Sequence, residues 1–215
     1  MVMTNQSKNV EEEYYSSAKR FFHLLAPFYD TITAFDFRLR SVVEDFTHAR
    51  KGSVILDVAT GTGKQALLFA RRGYEVIGVD LSQDMLSRAE KKNKDKRVSF
   101  GLADATTLPF KHDVFDVSSV SFALHDMPFP IRKRVVTEMV RVTKSEGTIV
   151  VVDYGLPRKG ASRFLIYQVV RLYERYYPEF IRSDLADLLR QSGADIEDEL
   201  SFFADAARII KASKR

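Results

Sequence analysis

The sequence predicts an α/β fold: a doubly wound, mostly parallel sheet with helices on both faces. Three observations lead there. Between residues 54 and 152 short apolar segments alternate with amphipathic helical ones, the pattern of right-handed βαβ units. Val54–Leu56 and Ile149–Val152 are continuous apolar runs, as strands covered on both faces require. Finally, Val54-Ile55-Leu56-Asp57-Val58-Ala59-Thr60-Gly61-Thr62-Gly63-Lys64-Gln65-Ala66 reads as a buried strand, a glycine turn and the first turn of a helix. Such a turn aims free backbone N–H groups at whatever sits above the sheet.

Taken in order, residues 1–9 are polar and expected to be loose. Val10–Leu25 reads as a helix with Tyr14, Tyr15, Phe21, Phe22, Leu24 and Leu25 on its apolar side, and Pro27 ends it. Phe37–Ala49 is a second amphipathic helix, with Val42, Val43 and Phe46 at helical spacing. Residues 1–50 are thus expected to form a helical cap, or lid. Residues 51–154 hold the core alternation: strand Val54–Val58 and helix Lys64–Arg72, strand Glu75–Val79 and helix Ser82–Lys92, strand Val98–Leu102, strand Phe115–Val120 and helix Pro130–Val142, then strand Thr148–Val152. Residues 155–182 form an insertion that is unusually aromatic (Phe164, Leu165, Tyr167, Val169, Leu172, Tyr173, Tyr176, Tyr177), with Arg163, Arg171, Arg175 and Arg182 interleaved. Such a stripe is read as core or lid packing with snorkelling arginines, roofing an apolar substrate pocket. Residues 183–215 supply a helix over Ser183–Gln191, with Ser183 as N-cap and Gly193 as stop, and strands over Asp195–Phe203 and Ala207–Ser213. The connection between those strands is too short for a parallel crossover, so the pair is expected to be antiparallel. All 215 residues fit one domain.

Composition narrows the chemistry. There are no cysteines, which excludes disulfides, thiolate nucleophiles and cysteine–metal sites. The net charge of +4 and pI near 9.2 rest largely on Lys91–Arg97 and the Lys211–Arg215 tail, which read as solvated segments, so no nucleic-acid partner is expected. The first residues lack the apolar core of a signal peptide and no apolar run is long enough for a membrane span, so a cytoplasmic protein is expected. His23, His48, His112 and His125 show no ligand spacing, so no metal site is expected. No feature of the chain specifies an oligomeric state.

The carboxyl ends of the strands are where ligands bind in an open α/β sheet. Gly61–Ala66 fits G-x-G-x-x-A, and Asp80 follows at the distance a dinucleotide fingerprint wants. Asp57, just before the glycines, opposes a pyrophosphate: at ~4 Å and an effective dielectric of ~20 the repulsion is roughly 4 kcal/mol. With Asp104 after the third strand, three strand-end carboxylates suit a cationic ligand better than an anionic one. Asp80 can accept both ribose hydroxyls of an adenosine. Ser121-Phe122-Ala123-Leu124-His125-Asp126-Met127-Pro128 follows the fourth strand. His125 is either a general base, its ordinary pKa lying near neutrality, or a hydrogen-bonded structural histidine. Asp126 would orient His125 or cap the next helix. Asp153-Tyr154 would face the same pocket mouth.

The Asp57–Gly63 segment resembles motif I of the class I S-adenosylmethionine-dependent methyltransferases, and the ubiquinone/menaquinone methyltransferase-like small-molecule branch looks closest. The resemblance runs from about Tyr15 to the end of the chain. Ala59 departs from it by replacing the motif's first glycine, and Lys64 stands where the branch often has an acidic residue. Ala26-Pro27-Phe28-Tyr29-Asp30 is similar to the branch's A-x-x-Y-D segment.

The resemblance implies a Rossmann-like sheet of seven strands with a last antiparallel strand inserted, under an N-terminal helical lid. It implies S-adenosyl-L-methionine as cofactor and S-adenosyl-L-homocysteine as product. Asp57, Ala59, Thr60, Gly61 and Gly63 would surround the methionyl part, which Tyr29 would also reach, unless Tyr29 is an ordinary packing residue. Asp80 would take the ribose, Leu81 and Met85 would pack on the adenosine, and Asp104 and the Ala105 N–H would meet the adenine. Ser121 and Phe122 would line the transfer site, with His125 and Tyr29 as candidate catalytic residues. The acceptor would be small and apolar or aromatic. The Ser121–Leu124 segment departs from the G-I-R-N of quinone methyltransferases. The aromatic insertion is similar to that of lipid amine methyltransferases, which adds a lipid-like acceptor and peripheral membrane contact. Two other readings stand beside this one: an NAD(P)-dependent oxidoreductase, and a non-catalytic cofactor-binding or scaffold protein on the same fold.

Overall fold

The computed structural model describes residues 5–32, 37–156, 164, 167, 168, 170, 171, 175–203 and 205–215. Residues 1–4 and, in the insertion, Arg163, Leu165, Val169, Leu172 and Tyr173 lie outside them. In chain order the described elements are helices α1 (Asn5–Leu25), α2 (Tyr29–Ile32) and α3 (Phe37–Thr47), strand β1 (Val54–Val58), α4 (Lys64–Arg71), β2 (Glu75–Asp80), α5 (Gln83–Lys92), β3 (Val98–Leu102), β4 (Phe115–Ser121), α6 (Phe129–Val142), β5 (Thr143–Tyr154), α7 (Tyr177–Arg182), α8 (Leu185–Gln191), β6 (Ala194–Phe202) and β7 (Ala207–Lys214).

The strands form one sheet in the order β3-β2-β1-β4-β5-β7-β6. β1 pairs parallel with β2 and β4, and β7 runs antiparallel between β5 and β6. Successive residues of the central strands serve opposite apolar layers. Leu56, Val58, Ile149 and Val151 face a layer completed by α6, α8 and Tyr14 of α1, whereas Ile55, Val150 and Val152 face one completed by α3 and α4. This two-sided burial is why these strands read as unbroken apolar runs.

Four details depart from the expectations. α1 begins at Asn5, a turn before Val10, because the polar residues ahead of the apolar stripe extend the same helix. β5 starts at Thr143 rather than Thr148. Thr143 pairs with Phe115 across a bulge, and its hydroxyl lies 2.8 Å from Ser118 Oγ and donates to Met139 O at 2.6 Å. The cap of α8 is Asp184, whose side chain accepts from Ala186 N at 2.9 Å, and not Ser183, which instead bonds Phe180 O. Ser82, expected as the first residue of α5, instead caps it, accepting from Met85 N.

Candidate functional site

The β1–α4 turn sets the site. Gly61 and Gly63 both have positive φ (56° and 75°), a backbone that side chains rarely adopt. Their surroundings differ. A Cβ on Gly61 would meet nothing within 4 Å, so Gly61 leaves open the space above the turn. A Cβ on Gly63 would lie 2.7 Å from Phe100 Cζ and 2.9 Å from Ala89 Cβ, so Gly63 serves the packing of the turn against β3 and α5. Of the two glycines expected to border a ligand, Gly61 faces open space and Gly63 faces packed side chains. Ala59, in the motif's first glycine position, also has a positive φ, 52°.

Above this turn lies a cavity of about 230 Å³. One wall is polar and built from strand ends: Gly61, Asp80, Leu81, Asp104 and Ala105, with Met85 beneath. Asp80 accepts from Gly61 N and Ser82 N, both at 2.8 Å. Burial pushes its carboxyl up, and those two N–H groups oppose the shift. Asp104 accepts the N–H and hydroxyl of Thr106 through one oxygen. The rest of the lining is largely apolar and aromatic, with Tyr14 and Phe22 from α1, Met127 just before α6, Ile131 in the first turn of α6, and Tyr154 from β5.

Asp57, Thr60 and Ser121 do not line this cavity. They line a smaller polar recess beside it with Arg40, Thr62, Lys64 and Gln65, and Tyr29, Ala59 and Gly61 border both spaces. Asp57 is buried, accepts the Thr60 hydroxyl at 2.6 Å, and burial pushes its carboxyl up to about 6. Ser121 Oγ and Gln65 Oε1 are buried there without a hydrogen-bond partner. Unmet polar atoms of this kind mark room for a polar ligand group. From the lid side, Asp30 accepts from Thr62 Oγ1 at 2.6 Å and from Lys92 Nζ at 2.9 Å, which ties α2 to the glycine turn. Burial acts to raise the Asp30 carboxyl, but these two bonds outweigh it and hold it below its ordinary value.

His125 sits in a short 3-10 turn, Leu124–Asp126, and lines the cavity. It is 5% exposed, and its Nδ1 lies 2.7 Å from Asp153 Oδ1. Asp153 is fully buried; its Oδ2 accepts from Leu124 N and His125 N, and its Oδ1 also accepts from Tyr154 N. Asp153, and not Asp126, therefore orients His125. Asp126 does not cap α6 either, since Pro128 holds that position. The centroid of the His125 ring lies 4.5 Å from that of Tyr154, the rings tilted by 60°, and 6.3 Å from that of Phe180 in an edge-to-face contact. Arg132 of α6, fully buried, secures the same turn: it donates to Leu124 O at 3.0 Å and Met127 O at 2.8 Å, and also to Ser183 Oγ.

Sequence reasoning missed Arg40, Gln65, Arg132 and the Asp153–His125 pairing. Arg40 and Glu44 do carry a signal: with Val43 and Thr47 they occupy the stripe that α3 buries, an unusual place for charge. No metal-binding group of three or more His, Cys, Asp or Glu side chains occurs among the described residues.

A sheet of this order, with a glycine turn after β1 and carboxylates ending β2 and β3, defines the class. The chain belongs to the class I S-adenosylmethionine-dependent methyltransferases, which use S-adenosylmethionine and release S-adenosylhomocysteine. A family model described as a methyltransferase domain matches residues 56–151. Demethylmenaquinone methyltransferase of Renibacterium salmoninarum is 37% identical over 126 residues, 59% of this chain and 52% of that protein. The Thermus thermophilus protein of the same name is 34% identical over 166 residues, 73% of either chain. The chain thus spans about half the length of the first relative and nearly three quarters of the second. The PH0226 protein of Pyrococcus horikoshii has the same fold, with a TM-score of 0.70 over 88% of this chain and 96% of that one at 21% identity. Family membership supersedes the dinucleotide reading of the glycine turn.

Proposed function

We propose that this chain methylates a small lipophilic acceptor, aromatic in its reacting part, held in the cavity between α1 and the 122–127 turn. One observation carries the reading: a single cavity is lined by strand-end carboxylates, by aromatic side chains and by a histidine that a buried carboxylate orients.

The residues suit the family's cofactor. Asp80 retains acceptor capacity for ribose hydroxyls beyond its two backbone bonds, and Leu81 and Met85 offer apolar faces to an adenosine. Asp104 and Ala105 stand where an adenine edge would lie. The recess holds a carboxylate (Asp57), two cations (Arg40, Lys64) and two unmet acceptors or donors, a set that suits an amino acid's ammonium and carboxylate. When bound, S-adenosylmethionine supplies an electrophilic methyl group on a sulfonium. The protein contributes proximity and orientation, which are worth up to roughly 7–11 kcal/mol. Because Asp153 holds Nδ1–H, Nε2 is the basic atom of the His125 ring, and it takes the proton from an acceptor hydroxyl or acidic carbon. Asp153 then stabilises the imidazolium, which returns its proton to water. Tyr29, at the border of the two spaces, closes the methionyl end. The names of the relatives favour a quinol among aromatic acceptors; the replacement of G-I-R-N by Ser121–Leu124 points to a head group different from theirs.

Calorimetric titration with S-adenosylhomocysteine tests the cofactor site. Wild type is expected to bind and Asp80→Asn to bind roughly a hundredfold more weakly, as loss of charge-assisted hydrogen bonds implies. Transfer of labelled methyl to naphthoquinols, simple phenols and lipid amines then tests the acceptor. His125→Asn should lower kcat on a hydroxyl or carbon acceptor by about 10²–10⁴-fold. Unchanged kcat in that variant, or transfer to amines alone, overturns the base.

A further inference from the structure

Six of the seven large apolar side chains left in solvent among the described residues, all but Phe164, gather at one end. Phe21, Leu24 and Phe28 are 47%, 64% and 64% exposed. Phe21 and Leu24 lie three residues apart on α1, hence on one helix face. This end of α1 stands over the carboxyl ends of the strands, because its Phe22 and Leu25 line the cavity together with Gly61 and Asp80, and His23 Nδ1 lies 2.9 Å from Asp84 Oδ2. Leu102 closes β3, Phe129 opens α6 just beyond β4, and Phe203 follows β6 beside the end of β5; all three are exposed at that same end.

Charge follows the same pattern. From Tyr14 to Tyr29 the chain carries Lys19, Arg20 and His23 and no carboxylate, while Glu11 and Glu13, earlier on α1, are paired with Arg134 and Arg175. Exposed aromatic and aliphatic side chains beside cations, on the half of a helix that carries no acidic residue, are the chemistry of a helix lying in an anionic lipid interface. The patch is also continuous with the cavity, since Phe21 belongs to both the exposed face and the cavity wall.

We propose that the second half of α1 with the turn to Phe28 is a membrane-docking surface. It seats Phe21, Leu24 and Phe28 among the acyl chains of an anionic bilayer, keeps Lys19 and Arg20 at the headgroups, and opens the cavity mouth toward the lipid. The surface stands independently of the methyl-transfer reading. One short amphipathic segment gives weak, reversible binding that salt screens.

Co-sedimentation of the full chain with vesicles tests this, using phosphatidylglycerol mixed with phosphatidylcholine against phosphatidylcholine alone. The informative variant is Leu24→Ser/Phe28→Ser, because neither residue lines the cavity. Wild type is expected to pellet with the anionic vesicles and to be released as salt rises from about 0.1 M to about 1 M. The double variant is expected to lose roughly tenfold or more of that partitioning while its S-adenosylhomocysteine titration matches wild type, which shows the fold intact. Failure of wild type to bind anionic vesicles, equal binding of the double variant, or equal binding to both lipids overturns the proposal. So does a wild-type dimer in sedimentation that the double variant converts to monomer, since the patch is then a contact between copies.

Discussion

Replacing Arg132 by methionine probes how the histidine turn is held. Arg132 is fully buried, and no carboxylate lies within ion-pair distance among the described residues; burial accordingly holds its pKa below the ordinary value, with Glu179 and Asp153 opposing. Its guanidinium makes three hydrogen bonds, to Leu124 O, Met127 O and Ser183 Oγ, and lies 4.9 Å from the Phe180 ring centroid. Methionine keeps most of the stem and removes all three bonds. Leu124 O keeps its bond from Met127 N, so the new deficit falls on Met127 O, at about 1–3 kcal/mol for a buried orphan. Hydrogen bonds from a charged donor contribute about 1.5–3 kcal/mol each, but removing an unpaired buried charge gives part of that back. The net expectation is a loss of about 3 kcal/mol, or roughly 6–12 °C in Tm for a chain of this size. Because the released carbonyls bracket His125, turnover should fall more than cofactor affinity does: a misplacement of ~1 Å costs about 10²-fold. Arg132→Lys, which cannot span both carbonyls, should fall between. The assays are thermal denaturation, S-adenosylhomocysteine calorimetry and turnover on whichever acceptor the panel identifies. An Arg132→Met protein as stable and active as wild type would refute the reasoning, and would mean that the guanidinium's bonds only offset its own desolvation.

Ala59→Gly should stabilise by about 1 kcal/mol, raising Tm by roughly 2–4 °C, because alanine at φ 52° sits in a strained region; no gain in a thermal melt counts against that strain. Gly63→Ala combines a positive φ with a Cβ 2.7 Å from Phe100 and should destabilise by about 2–4 kcal/mol in urea titration, whereas Gly61→Ala, with open space, should cost only the backbone term. Asp57 gives a pH dependence of defined sign. Its folded pKa of about 6 lies above the 3.8 of an ordinary carboxyl, so between those values the folded state holds the extra proton and stability falls as pH rises. The drop from this group approaches roughly 3 kcal/mol by pH 7, and Asp57→Asn should remove that part of the slope in urea titrations at pH 4–7. A cationic ligand in the recess pulls the same pKa back down, so binding near pH 6 should release protons, detectable as buffer-dependent heats.

The sheet was legible because its physics is local and repetitive. Two-sided burial makes β1 and the Ile149–Val152 part of β5 unbroken apolar runs, and the short connection around Asp205 forces β6 and β7 to be antiparallel. The strand-end carboxylates were legible for the same reason, since the end of a predicted strand is a position in the chain. What sequence could not give is adjacency across strands. His125 and Asp153 are 28 residues apart and meet only because β4 and β5 are neighbours, with Ser121 registered on Val152. Nothing in the sequence sets Arg132 apart from its neighbours Lys133 and Arg134, and only the packing of α6 over the 124–127 turn turns it inward. The separation of Asp57 into a recess apart from Asp80 and Asp104 likewise depends on how tightly the turn folds back on itself.

The insertion of β7 between β5 and β6 constrains how the molecule can be born. Synthesis makes β6 first, yet β6 bonds only to β7, and β5 is closed on that side only by β7. Until Ala207–Lys214 leaves the ribosome, the nascent chain therefore carries a hydrophobic strand edge, Ile149–Val152, with no mate, and a β6 segment with nothing to join. Such an edge is what chaperones and other copies of a chain bind most readily. The β-hairpin cannot dock as a pre-built unit until its second strand exists, so closure of this side of the sheet waits on β7.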